Sequence, residues 1–283
     1  MSEYIESIVK LIDYLSPSPF SKDDIEWEHE YDEIFSELIF NLATLTSIIH
    51  KSGQYQVTRY LQLGYKDKEI VLFVKVPSWK LYHRIKSKAA LDQLAFLISH
   101  YLKLNVVPVT IALEGYESIV KKYVPEKIYK RCMMMEDYGF KGTIAQKVIK
   151  TKDSEPNCDL TNVDLENIHR CLMFNIITGR KDARIDNSIV DLDNNLFEID
   201  NEDIGFNTTD SWLLHKFKDD IINEKLVDHM LTFNVSIIDD VFDKMSQFTI
   251  SNNIKKIIKD NFLRVLTILR TNNNVTFKDL IKN

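Results

Sequence analysis

The sequence predicts an α+β protein of two lobes, a small antiparallel-sheet lobe followed by a mainly helical one. Three observations lead there. β-rich runs gather at Gln54–Leu63 and Glu69–Val76 and recur at Val106–Ala112 and Ile128–Met135. Beyond Gly142, apolar residues at helical spacing dominate. The exception in that helical half is Ser188–Leu192 and Leu196–Ile199, two apolar-rich runs joined by Asp193-Asn194-Asn195, a hairpin signature. A cleft between two such lobes is the expected place for a ligand.

At 283 residues the chain holds one large domain or two lobes. Apolar content of 45% and charged content of 28% are those of an ordinary soluble protein. A net charge of −6 argues against nucleic-acid binding, which leaves a basic footprint, and weakens any claim to an anionic membrane surface. The three cysteines, Cys132, Cys158 and Cys171, contain no Cys-x-x-Cys pair, so neither a disulfide framework nor a zinc site is indicated. Glu3, Glu6 and Asp13 make the N-terminal residues unlike a secretory signal peptide, and no apolar run reaches the roughly 18 residues of a membrane span. The expected setting is the cytoplasm.

In order along the chain, residues 1–50 read as a helical extension, Tyr4–Leu15 and Asp32–His50, split by Ser16-Pro17-Ser18-Pro19. Residues 51–137 read as the sheet lobe, a hairpin turning at Gly64–Lys68, a helix over Leu81–Leu102 with apolar positions Leu91, Leu94, Ala95, Ile98 and Leu102, and then two strands. Residues 138–283 read as the helical lobe, with helices at Val163–Thr178, Trp212–Lys218, Glu224–Thr232, Ile237–Met245, Ile254–Leu269 and Phe277–Ile281.

The chemistry concentrates in Gly179-Arg180-Lys181-Asp182-Ala183-Arg184-Ile185-Asp186-Asn187 and Phe197-Glu198-Ile199-Asp200. Phosphoryl transfer needs one carboxylate to orient the attacking hydroxyl and a few oxygen ligands to hold Mg²⁺ on the nucleotide phosphates. Asp182 and Asn187 have the Asp-x-x-x-x-Asn spacing of a phosphotransfer catalytic loop. A hairpin returns its ends to one place, bringing Asp200 beside Asn187 to share a metal. Arg184 is either a cation for the γ-phosphoryl charge or one half of a surface salt bridge. Asp186, Asp191 and Asp193 read as turn residues, Glu202 and Asp203 as alternative ligands, and His169 as a packing residue.

Lys75 ends an apolar strand, where it either faces outward or meets the phosphates with Asp92 of the following helix as its acidic partner. Met133–Asp137 lies between the halves. Met135, Glu136 and Asp137 are candidates for the wall and hinge of an adenine pocket, against the plainer reading of a methionine core. The expected phosphate-covering loop has one glycine, Gly53, in Ser52-Gly53-Gln54-Tyr55.

Together these pieces, spanning about Gly53 to Phe206, resemble the actin-fragmin kinase, type II phosphatidylinositol 4-kinase and HipA-like branch of the protein-kinase-like fold. Leu102-Lys103-Leu104-Asn105-Val106-Val107-Pro108-Val109-Thr110, Gly-Arg-x-Asp in place of His-Arg-Asp, and Ile-Asp-Asn-Glu in place of Asp-Phe-Gly carry that resemblance. It implies a bilobal kinase fold using ATP and Mg²⁺ or Mn²⁺. Asp182 is then the catalytic base, Asn187 and Asp200 are metal ligands, and Lys75 sits on the phosphates. Asp92 for the usual Glu and the sparse glycines depart from the pattern. The expected activity is an ATP-dependent kinase acting on a protein hydroxyl, with an activating partner as a further possibility and delivery into a host cytosol as an effector as one setting. The alternatives are a phosphoinositide or small-molecule kinase, a nucleotidyl transferase on the same fold, and a pseudokinase binding module.

Overall fold

A computed structural model describes residues 44–52, 56–65, 68–77, 88–108, 110–113, 143–147, 158–246 and 250–281, with side chains described for 90–108, 110, 158–246 and 250–281. The chain divides into two compact units, residues 1–89 with 109–148, and residues 90–108 with 149–283.

The first unit holds a five-stranded antiparallel sheet. Its strands are β1 (Thr44–Ser52), β2 (Gln56–Tyr65), β3 (Lys68–Pro77), β4 (Thr110–Leu113) and β5 (Thr143–Lys147), in the order β1-β2-β3-β5-β4. β2 and β3 form the expected hairpin, with Tyr65 opposite Lys68 at its tip and Thr58 opposite Lys75. The apolar run Ile70-Val71-Leu72-Phe73-Val74, with three β-branched residues and an aromatic one, suits a pleated strand flanked on both edges.

Three expectations are corrected here. Thr44–Ser52 is a strand and not the end of a helix over Asp32–His50; Thr44, Thr46, Ile48 and Ile49 are β-branched, and the strand pairs with β2 across one irregularity between Leu45 and Ser47. The rest of that helix, Tyr4–Leu15 and the strand Ile128–Met135 lie outside the described residues. Of the strand expected over Val106–Ala112, only Thr110–Leu113 joins the sheet. Val106 and Val107 are irregular because the Ser99 hydroxyl accepts both their amides, at 2.9 and 3.3 Å, and the Val106 carbonyl accepts the Glu198 amide at 2.7 Å. β5 is a strand not expected within the mainly helical lobe; it is set by non-local pairing to β3 and β4, which local periodicity does not report.

The second unit contains nearly all of α1 (Lys88–Tyr101), then α2 (Leu165–Thr178), the hairpin β6 (Ser188–Val190) and β7 (Leu196–Glu198), α3 (Trp212–Phe217), α4 (Glu224–Leu231), α5 (Ile237–Lys244), α6 (Asn252–Thr271) and α7 (Phe277–Leu280). The six helices expected after residue 160 are therefore all present. α2 is the centre. Its first turn is capped by Asp164, whose carboxylate accepts the Glu166 amide, and every residue from Ile168 to Thr178 except Arg170 is buried. α6 packs on it through Ile258, Phe262, Val265 and Leu269, a stripe at helical spacing, while α3, α4, α7 and β7 cover its other sides. Each such side chain contributes about 1.5–3 kcal/mol by leaving water. In α1 the expected apolar positions Leu91, Leu94, Ala95, Ile98 and Leu102 are all buried. Among the described residues no helix is long and apolar enough to cross a membrane.

Candidate functional site

The site grows from the C-terminus of α2. Gly179 takes a left-handed backbone (φ 59°), and a Cβ there would lie 1.9 Å from the Phe206 carbonyl oxygen, so only glycine fits. That turn sends Arg180 inward and leaves Asp182 half-exposed.

Asp182 is gripped in two ways. Arg184 meets its carboxylate from Nε at 2.9 Å and Nη2 at 3.3 Å, a bidentate pair on an exposed guanidinium. Of the two readings of Arg184, the salt bridge is the one present, with Asp182 and, at 3.9 Å, Asp186. A 3-10 turn at Ile185–Asn187 then folds Asn187 inward, 6% exposed, and its amide donates to the Asp182 carbonyl at 2.8 Å. Spent in this way, Nδ2 leaves Oδ1 as the available ligand atom; among the described residues it accepts no hydrogen bond.

β6 and β7 form the expected hairpin, with Ser188 opposite Glu198, and the Ile199 amide donates to the Asn187 carbonyl at 2.9 Å. Asp191 is a turn former, accepting the amides of Asp193 and Asn195. Asp200 follows β7 with a left-handed backbone, φ 57°. Its carboxylate groups with those of Asp92 and Glu202, the three ligand atoms lying within 4.8 Å of one another. Asp92 is 1% exposed and accepts the Asn201 amide at 2.6 Å. These are hard oxygen donors, the chemistry that suits Mg²⁺, Mn²⁺ or Ca²⁺ rather than a thiolate-seeking metal. Glu202, expected as an alternative ligand, is therefore part of the group, and Asp92 joins it.

Lys75 stands on β3 opposite Thr58 and Ile144, and its side chain lies outside the described residues. So do Gly53 and the hinge candidates Met135, Glu136 and Asp137. The pairing of Lys75 with Asp92 therefore stays an expectation.

Sequence reasoning missed the polar network beneath the loops. Arg180 and Glu198, both fully buried, form an ion pair. Glu198 also accepts from Asn175 Nδ2 at 3.1 Å and Ser188 Oγ at 3.2 Å, and Ser188 Oγ accepts the Trp212 indole at 3.0 Å. The signal available was alternation: in Leu196-Phe197-Glu198, Glu198 shares a face with the fully buried Leu196. Burial beside this carboxylate pushes the Cys158 thiol up to about 12 and the Cys171 thiol well above its ordinary value. His169, as expected, packs: its ring lies edge-on to Phe277 and its Nδ1 accepts the Asn223 amide at 3.2 Å.

No family model matches the chain, and no curated protein matches it.

Proposed function

We propose that the protein is an ATP- and Mg²⁺-dependent phosphotransferase with a protein hydroxyl as acceptor. The observation that carries this reading is the bond from the Asn187 amide to the Asp182 carbonyl, together with the hairpin whose far end delivers Asp200. One backbone thus presents a half-exposed carboxylate and, five residues on, a buried amide whose backbone carbonyl is tied to the residue before Asp200. That division suits in-line phosphoryl transfer, where an acceptor is oriented on one side and phosphate charge is neutralised on the other.

In this reading Asp182 accepts the acceptor's proton. Asn187 Oδ1 and Asp200 hold the metal, with Glu202 and Asp92 adding negative charge around it. Arg184 orients Asp182 in the resting protein and supplies a cation to the γ-phosphoryl group. Lys75 is assigned to the nucleotide phosphates by resemblance. Mg²⁺ would neutralise phosphate charge there.

The test is transfer of label from γ-³²P-ATP, in parallel with α-³²P-ATP, to proteins of a cell lysate. Transfer from the γ position alone, lost in Asp182→Asn, is the expected result. Label from the α position would replace the reading by nucleotidyl transfer.

A further inference from the structure

Resting on the phosphotransferase reading, we propose that Arg180 is the positioning residue of the metal loop, holding Asp200 in ligating conformation through its two flanking peptide oxygens.

Asp200 sits in a left-handed conformation, uncommon for a non-glycine residue although aspartate adopts it more readily than most. Its surroundings show what holds it. Nη2 of Arg180 donates to the Ile199 carbonyl at 2.5 Å and reaches the Asp200 carbonyl at 3.5 Å. These oxygens stand on either side of the Asp200 Cα, so one nitrogen restrains both backbone torsions of the ligand residue. On the flanks, the Ile199 amide is tied to the Asn187 carbonyl and the Asn201 amide to Asp92. Arg180 is itself anchored: its amide donates to the Asn175 carbonyl at 3.1 Å, its carbonyl accepts the Asp210 amide at 3.0 Å, and its guanidinium is paired to Glu198.

A fully buried arginine is a poor device for stability alone, since an apolar side chain of similar volume does as well. What the planar fork adds is geometry. One face of it neutralises Glu198 while the other grips the chain at Asp200, and a lysine ammonium, a single point of charge, cannot do both. Groups that orient metal ligands without touching the metal commonly change affinity by about 10–100-fold when lost.

The experiment uses the full chain, titrated with Mn²⁺ in the presence of a non-hydrolysable ATP analogue and followed by the electron-spin resonance signal of free Mn²⁺. Urea midpoints are measured alongside. Arg180→Lys is expected to keep most of the urea midpoint, because its ammonium still meets Glu198, and to weaken Mn²⁺ binding by about tenfold or more. Glu198→Gln keeps an acceptor oxygen for the fork, so it is expected to lower the midpoint while leaving Mn²⁺ binding close to wild type. A purely structural role moves the two readouts together. Arg180→Lys binding Mn²⁺ as wild type does, or the two readouts falling in parallel in whichever variants fold, overturns the assignment. Wild-type protein that takes up no Mn²⁺ overturns the phosphotransferase reading and this inference with it.

Discussion

The side-chain amide of Asn187 donates to the backbone carbonyl of Asp182 at 2.8 Å, so the two ends of the Asp-x-x-x-x-Asn loop act as one unit. Removing that amide therefore disturbs the proposed base as well as the proposed metal ligand Asn187. Asn187→Ala is expected to reduce both turnover and the metal dependence of nucleotide binding. Asp182→Asn, which leaves the carbonyl in place, should reduce turnover by about a hundredfold or more with ATP affinity nearly unchanged. Single-turnover phosphoryl transfer and equilibrium nucleotide binding, measured on both variants, separate the two effects. Equal loss of ATP affinity in both would count against these roles.

Asp200→Asn tests the carboxylate without disturbing the backbone, because asparagine tolerates the left-handed region. The stabilisation that Mg²⁺ adds to nucleotide binding should disappear. A thermal shift by Mg-ATP that survives intact in this variant would move the metal elsewhere.

Gly179→Ala should be among the most damaging single-methyl changes in the second unit. It adds the cost of a left-handed alanine, about 1–2 kcal/mol, to a contact 1.9 Å from a backbone oxygen that cannot swing away. A loss of at least about 2 kcal/mol in urea unfolding is expected. A near-neutral result would mean that the Phe206 chain yields more easily than its bond to the Gly179 carbonyl implies.

Burial holds the His169 imidazole below its ordinary value of about 6.5, against the pull of Asp220 at 3.8 Å. The folded state thus favours the neutral ring, which accepts the Asn223 amide, and the unfolded chain takes up the proton first as pH falls. This contribution to stability is complete above about pH 6.5 and is lost as pH drops through that value towards the lower folded one. Comparing urea midpoints of wild type and His169→Gln at pH 7.5 and 5.5 checks it: the variant should lose less on acidification.

The hairpin carrying Asn187 and Asp200 was legible because its signals are local, two short apolar runs and an Asp-Asn-Asn turn. The helices around it were legible for the same reason. β5 was not, since Thr143–Lys147 becomes a strand only by pairing with chain far away on both sides. Nor was the Arg180–Glu198 pair. A charged residue is read as exposed unless its partner is known, and here the partner lies eighteen positions on, across the hairpin. Asp92 stands out in the sequence as an acid among apolar residues and reads as a partner for Lys75; nothing local tells that it meets Asp200 and Glu202.

The bond between the Asn201 amide and Asp92 spans 109 residues, and the chain leaves the second unit after Pro108 and re-enters it at residue 149. During synthesis at about 5–20 residues per second, α1 therefore waits roughly 5–20 seconds for the segment that receives it. Throughout that interval Asp92 lacks both the amide it will accept and the two carboxylates it will group with. The carboxylate cluster is thus assembled late, from two segments made far apart in time. A fragment stopped short of residue 200 carries Asp92 without the loop that completes its carboxylate cluster.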